Sequence, residues 1–270
     1  MKPKHLLLSL LLSLLLFSCQ NKTKILCHRG SGIGFNINKG DSIYENTMDA
    51  VKFGFNNYDG IEIDIQKSKD GTLWVFHNSD FEIKDSLCPV CIPNATDSAI
   101  LILNTKLPPY KRLSRLEEVL KYRKSLNSNQ YISLDIKGYF DTDCLSKRNV
   151  SKEYELNTAN EIVRLINKYN LQEYVMVETD YLRVLQRVKA LNSTISTFVL
   201  GYNNFNQRLA IAQKIKANGL SFNMHDTSLS QKAIERLHDK GMKIQVWTIT
   251  SEAEKKKAKE MKADFIQTDH

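Results

Sequence analysis

A (β/α)8 barrel, the TIM-barrel class, is the fold this sequence predicts, on three grounds. The chain has 270 residues, 42% apolar and 25% charged, a globular composition at a length that α/β barrels commonly fill as one domain. Strand-like runs alternate with helix-like segments almost to the C-terminus, the pattern of a parallel sheet with helical crossovers. Polar residues gather late in those strand-like runs, and in a parallel barrel all such ends converge on one face.

The predicted strands are Ile25–His28, Gly60–Ile65, Tyr131–Ile136, Tyr174–Glu178, Thr197–Leu200, Leu220–Asn223, Lys243–Thr248 and Asp264–Thr268. Between them the predicted helices are Tyr44–Phe55, Ser114–Leu126, Thr158–Tyr169, Tyr181–Leu191, Gln207–Ala217, Ser230–Lys240 and Glu252–Met261. Apolar spacings of three and four, as at Ile162, Leu165, Ile166 and Tyr169, support the helices. In the second strand Ile61, Ile63 and Ile65 alternate with Glu62, Asp64 and Gln66, so two carboxylates share one face. A turn at Lys69-Asp70-Gly71 leads into a further run, Thr72–His77. Too few residues precede it for a parallel crossover, so it returns antiparallel and brings His77 to the same barrel end as Glu62 and Asp64. Residues 79–112 lack periodicity and hold four of the five prolines, which marks a small insertion after this hairpin. Cys88-Pro89-Val90-Cys91 within it is a local disulfide, a redox motif or half a metal site; no second C-x-x-C or zinc-spaced histidine accompanies it, which speaks against zinc, and a disulfide stapling the loop is the favoured reading. Cys27 reads as a small buried residue.

The N-terminus predicts export. Lys2 and Lys4 precede a leucine-rich run from Leu6 to Phe17, too short to span a bilayer comfortably and of signal-peptide length. The ending Leu16-Phe17-Ser18-Cys19 resembles a bacterial lipobox, which implies cleavage after residue 18 and acylation of Cys19. Residues 1–18 are thus a signal peptide, 19–24 a lipidated polar tether and 25–270 the barrel domain. The expected location is the extracytoplasmic or periplasmic face of a bacterial envelope membrane, held by the lipid. A plain secretory signal with an incidental cysteine is the alternative. Of the formal net charge of +8, two units belong to Lys2 and Lys4. The rest is spread without a basic run longer than Lys255-Lys256-Lys257, which suits anionic substrates or a lipid surface and gives no case for nucleic acid.

The strand ends carry His28, Glu62, Asp64, Asp135, Lys137, Glu178, Trp247 and Asp269. Glu62, Asp64 and Asp135 at one mouth would repel one another unless one is protonated or a hard divalent cation is bound. Oxygen-only ligation suits Mg²⁺ or Ca²⁺ and argues against zinc. His28 and His77 share no short spacing and look like proton carriers flanking an anion. Arg29 and Lys137 offer positive charge to a phosphate. Together these groups describe phosphodiester chemistry.

Seven motifs then carry a resemblance. "HRG" at His28–Gly30, "ENT" at Glu45–Thr47, "EIDIQKSKDG" at Glu62–Gly71, "VFH" at Val75–His77, "LEEVL" at Leu116–Leu120, "VWTIT" at Val246–Thr250 and "TD" at Thr268–Asp269 resemble the glycerophosphodiester phosphodiesterases. The resemblance spans Ile25 to His270 with the motifs in family order. It implies a TIM barrel with a small insertion, general acid and base at His28 and His77, and metal ligands at Glu62, Asp64 and Asp135. The implied reaction is hydrolysis of a glycerophosphodiester to glycerol 3-phosphate and an alcohol. Substrate contacts are expected at Arg29, Lys137, Trp247 and Glu45; Glu45 is otherwise a helix-start acid, Asn46 a cap and Trp247 barrel filling. Two departures stand out: Asn78 follows His77 where the family usually has Asp, and Asp135 stands for its usual Glu. The "LDIK" stretch with Glu62 and Asp64 also resembles the sphingomyelinase D-like phospholipases, which form a cyclic phosphate on a lipid. A binding lipoprotein on a decayed barrel is the alternative from another class, and retention of both histidines argues against it. His5, His225, His238 and His270 read as leader, surface or loop residues.

Overall fold

The computed structural model describes residues 22–33, 35–36, 43–78, 91–138 and 151–269. Its twelve strands are β1 Lys24–Cys27, β2 Phe35–Asn36, β3 Ile43–Tyr44, β4 Gly60–Lys67, β5 Leu73–Val75, β6 Ser114–Arg115, β7 Tyr131–Ile136, β8 Val175–Thr179, β9 Ser196–Gly201, β10 Gly219–Asn223, β11 Lys243–Ile249 and β12 Phe265–Thr268. The helices are α1 Met48–Asn57, α2 Asp97–Lys106, α3 Leu116–Ser125, α4 Lys152–Lys168, α5 Leu182–Leu191, α6 Phe205–Lys214, α7 Gln231–His238 and α8 Glu252–Glu260. Eight strands, β1, β4 and β7 to β12, pair in parallel, and β1 closes the ring by pairing with both β12 and β4. The expected (β/α)8 barrel is therefore the architecture, with seven helices in the crossovers.

Two cores hold it together. Outward-facing strand residues such as Ile61, Ile63, Ile132, Leu134, Val177 and Val246 pack against the helices. Full burial of a side chain of this size contributes roughly 1.5–3 kcal/mol. Inside the barrel, Leu26, Met176, Phe198 and Phe265 plug the base. Above that plug the lumen turns polar: Ser133, Glu178, Ser221, Gln245 and Gln267 are all buried there. Side-chain caps start most helices: Thr47 for α1, Ser151 for α4, Asn204 for α6, Ser230 for α7 and Ser251 for α8.

Element limits differ from the sequence reading where capping outweighs periodicity. Thr47 caps the first helix, so that helix begins at Met48 and the Asn46 side chain is released for another task. The stretch Ser114–Leu126 divides into a short strand and α3, because Ser114 and Arg115 pair with the hairpin strand β5. β5 itself returns antiparallel on β4, with Ile65 opposite Val75. The expected insertion contains a helix, α2, that periodicity did not announce because Ile100 is its single buried residue. Trp74, Ile92, Ala95, Ile100 and Leu113 form a small core of their own beneath it. Cys91 is buried and disulfide-bonded, while Cys88 lies outside the described residues. Cys27 is buried, as expected. Cys19, His5 and His270 also lie outside the described residues. Among the described residues no helix is long and apolar enough to cross a membrane.

Candidate active site

The site begins with register. β4 lies beside β7 with Asp64 directly opposite Asp135, one strand spacing away. Oxygens of Glu62, Asp64 and Asp135 all come within 4.8 Å of one another. The shorter Asp135 still reaches the cluster. All three are buried, which makes their joint charge costly. Burial, reinforced by Asp64, Glu178 and Asp135, pushes the Glu62 carboxyl well above the usual range. Burial also works against Asp64, but Lys137, His77 and Arg29 outweigh it and hold Asp64 below the usual range. Lys137 donates to Asp135 Oδ2 at 2.6 Å and pairs with Asp64 Oδ1 at 3.0 Å. Burial opposes its charge; Asp135 and Asp64 prevail and raise it well above an ordinary lysine.

Asp135 Oδ1 is buried without a hydrogen-bond partner. An orphaned carboxylate oxygen facing two other acids is the donor set a hard divalent cation takes, so these residues fit one. No soft or nitrogen ligand belongs to the cluster.

The "HRG" turn sets the first wall. Directly after β1, Arg29 takes a left-handed conformation, φ 50°, and its backbone N–H donates to Glu62 Oε2 at 3.0 Å. Gly30 follows at φ 78°, where an added Cβ would lie 2.9 Å from the Ala50 backbone, so glycine is required. Arg29 Nη1 donates to Glu45 Oε1 at 2.8 Å, and burial of the guanidinium is outweighed by Asp64, Glu45 and Glu62, which raise its pKa.

Each residue of "ENT" has a distinct task. Glu45 pairs with Arg29 and lies outside the cavity lining. Asn46, itself left-handed at φ 57°, grips Asp64 twice: its Nδ2 donates to Oδ2 at 2.8 Å and its Oδ1 accepts from the Asp64 backbone N–H at 3.1 Å. Thr47 is the cap. Its neighbour Asn46 is therefore a positioning group for Asp64, not the cap expected of it.

Two histidines line the same cavity, of about 200 Å³. His28 Nδ1 lies 2.8 Å from Asp269 Oδ1, and its Nε2 is 3.7 Å from Glu62 Oε2. His77 sits just past the hairpin, where the Phe76 N–H donates to the Asp64 carbonyl and Gln66 Nε2 donates to the carbonyls of Phe76 and Asn78. Its Nδ1 lies 3.0 Å from Asn78 Oδ1, so the asparagine amide supports the ring. Burial pushes the His77 pKa down; Asp64 opposes, and Arg29 and Lys137 add to the lowering.

Arg29, Lys137 and Trp247 join the histidines around the cavity, together with Ile33, Glu178, Leu200, Tyr202 and Gln267. Trp247 forms a wall with Tyr202, ring centroids 5.2 Å apart and edge-on at 75°. Beneath them, Glu178 accepts hydrogen bonds from Ser133, Gln245 and Gln267. Burial, then Asp135, pushes it up to about 7. His225 and His238 stand apart from this cavity, as expected.

Sequence reasoning had no role for Asp269, cast Asn46 as a cap, and had none for Gln66 or Tyr202. The first two lie inside quoted motifs, and Gln66 continues the Glu62–Asp64 alternation, so each carried a signal. Tyr202 carried none, being one residue past β9 with no pattern around it.

The Glycerophosphoryl diester phosphodiesterase family model matches residues 28–270. An uncharacterised protein of Bacillus subtilis, YqiK, is 24% identical over 92% of this chain and 95% of its own. Among solved structures, a glycerophosphodiester phosphodiesterase from Parabacteroides distasonis superposes at a TM-score of 0.69 with 20% identity, over 92% of this chain and 93% of that one. An Oleispira antarctica phosphodiesterase, solved with the product sn-glycerol-3-phosphate, gives 0.68 with 18% identity over 91% and 92% of the two chains. At such identities the structural likenesses show the barrel, whereas the match along nearly the whole chain shows the lineage: this chain belongs to the glycerophosphoryl diester phosphodiesterase family.

Proposed function

We propose that the protein hydrolyses glycerophosphodiesters to glycerol 3-phosphate and an alcohol, with a divalent cation held by Glu62, Asp64 and Asp135. The observation that carries this reading is the meeting of that buried acid cluster with His28 and His77 at one cavity. The product named for the Oleispira antarctica phosphodiesterase supports the substrate class. Bound there, Mg²⁺ or Ca²⁺ supplies charge stabilisation to the phosphoryl oxygens.

The chain's own groups divide the remaining work. Arg29 and Lys137 attract and orient the phosphate. His77, kept neutral near pH 7 by burial and the two cations, takes the proton from the attacking hydroxyl, which is water or the neighbouring glycerol hydroxyl; in the second case water then opens the cyclic phosphate to glycerol 3-phosphate. His28, whose Nδ1 is held by Asp269 Oδ1 and whose Nε2 faces the cavity beside Glu62, donates the proton to the leaving alcohol. Trp247 and Tyr202 wall off the apolar side of the bound substrate. The leader reading completes the proposal: Cys19 is acylated and holds the enzyme at the extracytoplasmic face of an envelope membrane.

Release of glycerol 3-phosphate from glycerophosphocholine, with and without chelator, tests the activity. His28→Ala and His77→Ala should each lower kcat by at least ~10²-fold with the fold intact. Binding without turnover in the presence of Mg²⁺ or Ca²⁺ would instead describe a binding protein.

A further inference from the structure

We propose that the base of the barrel docks on an anionic bilayer, so that the mouth opens to water and receives soluble glycerophosphodiesters, not bilayer lipids. This inference rests on the reading of Cys19 as the membrane anchor.

The chain enters the barrel at its base. Thr23 Oγ1 donates to the Ala263 carbonyl at 2.8 Å and the Lys24 N–H to the Asp264 carbonyl at 2.8 Å, which fastens the entering segment to the loop before β12. A cleft of about 500 Å³ opens beside this entry, lined by Lys22, His238, Lys259, Lys262 and Asp264. The one carboxylate in it is already engaged: Asp264 Oδ2 lies 2.9 Å from His238 Nε2 and accepts from the Ile244 N–H at 2.8 Å.

Charge on this face is not balanced locally. Lys22, Lys216, Lys240, Lys259 and Lys262 are exposed and have no ion-pair partner among the described residues. Base acids are partly used: Asp59 pairs with Lys24 and Glu260 with Lys256, while Asp239 stands beside Lys240.

Helix C-termini point to the base of such a barrel and favour lysine, which accounts for Lys259 in the last turn of α8. It does not account for Lys216 and Lys262. Both lie beyond a helix end in the left-handed region, at φ 57° and 63°. Asn127, Asn170 and Gly241 hold positive φ in other base loops, the residue types that take it with least strain. Two lysines held there despite the strain point to a use for their charge.

Geometry fixes which way the mouth faces. Five steps separate Asp264 at the base from Asp269 at the mouth, a rise of roughly 16 Å at about 3.3 Å per residue. Five steps also separate Cys19 from Lys24, which reach ~18 Å at most when fully extended. Bringing the mouth to the bilayer would need that segment to climb the whole barrel outside its helices. The path must also pass around the helix layer, roughly 10 Å thick, so the reach falls short of the rise and the detour together; the base faces the membrane and bilayer phospholipids stay out of reach of the acid cluster.

Hydrogen exchange of the full chain, purified from membranes and placed on phosphatidylcholine vesicles with and without phosphatidylglycerol, tests this. Expected is several-fold slower exchange in 238–243 and 259–264 on the anionic vesicles, with 43–47 and 247–250 unchanged. Lys259→Gln combined with Lys262→Gln should remove that protection and leave glycerophosphocholine hydrolysis unaltered, with the thermal midpoint shifted by no more than a few degrees. Equal exchange on both vesicle types, protection at the mouth, faster turnover of vesicle lysophosphatidylcholine than of glycerophosphocholine, or equal protection by inorganic phosphate alone would each overturn the proposal. Labelled fatty acid reports separately on Cys19. A chain that stays on vesicles through an uncleaved leader without label refutes acylation and still gives the exchange result. A chain that neither takes label nor stays on vesicles overturns both.

Discussion

The two faces of β4 are equally hidden from water and chemically opposite. Ile61, Ile63 and Ile65 are each 0% exposed against the helices; Glu62, Asp64 and Gln66 are 2%, 1% and 0% exposed in the lumen. Alternation of this kind usually marks a strand with one wet face. Here both faces are dry, and the difference lies in what surrounds them. The isoleucines meet apolar side chains, whereas the carboxylates meet one another, Lys137, Asn46 and the Arg29 turn. Burial alone therefore does not separate scaffold from site; unbalanced chemistry at a buried position does.

Neighbouring residues on that strand should give opposite phenotypes. Glu62→Gln imitates the protonated carboxyl that burial favours, so the chelated protein should keep its thermal midpoint. Its hydrolysis of glycerophosphocholine should fall by ~10³-fold or more, and the midpoint rise on adding Mg²⁺ or Ca²⁺ should shrink. Substantial activity in this variant would remove Glu62 from the cation site. Ile63→Ala, one position on, should destabilise by about 3 kcal/mol in urea unfolding, within the 2–5 usual for such truncations. Its turnover per folded molecule should stay near that of the parent. A large loss of kcat there would mean that the two faces are not independent.

The strand frame was readable because it repeats: short apolar runs recur with helix-like segments between them, and seven crossovers leave one parallel closed arrangement. The acid cluster was readable for the same reason, since Glu62, Asp64 and Asp135 sit at equivalent late positions on adjoining strands. What periodicity could not supply were contacts between residues far apart in sequence that follow no repeat. His28 and Asp269 are 241 positions apart and meet only because β1 pairs with β12. Helix α2 escaped notice because it covers a five-residue core with one buried side chain and leaves Leu101 and Ile102 exposed. Asn46 resembled a cap by composition, and only the φ of 57° and the Thr47 geometry show that it serves Asp64 instead.

The lumen also predicts a dependence on pH that the outer core cannot produce. Glu178 is raised to about 7 by burial and Asp135, against 4.5 for a glutamate in water. The folded state thus binds its proton more tightly than the unfolded state. The associated stability is fully present below pH 4.5 and is lost as pH rises through 7. Each tenfold difference in proton affinity is worth roughly 1.4 kcal/mol, so chelated protein should lose up to about 3 kcal/mol between pH 5 and 8. Glu62 adds in the same direction. Glu178→Gln should flatten part of that decline in urea unfolding at the two pH values. An unchanged slope would show that Glu178 does not hold the proton.

The smallest of these effects separates the two histidines. His28 leans on a carboxylate and His77 on an amide, and a charged acceptor makes roughly twice as strong a hydrogen bond as a neutral one. Asp269→Asn gives His28 the kind of support His77 already has, with little change in shape. Asp269 also accepts from the Ile33 N–H at 3.1 Å, a bond the asparagine oxygen can keep, so the turn after "HRG" should hold. Expected is a ten- to hundredfold loss in kcat, or about 1.4–2.7 kcal/mol, with KM little changed, since the ring stays in place and only its charge support weakens. Asn78→Asp puts a carboxylate beside the other ring and should not rescue that loss, because the proposed mechanism gives the two histidines different proton transfers. A double variant that recovered parental kcat would show instead that either ring can take either part, and would end the division of roles drawn from their partners.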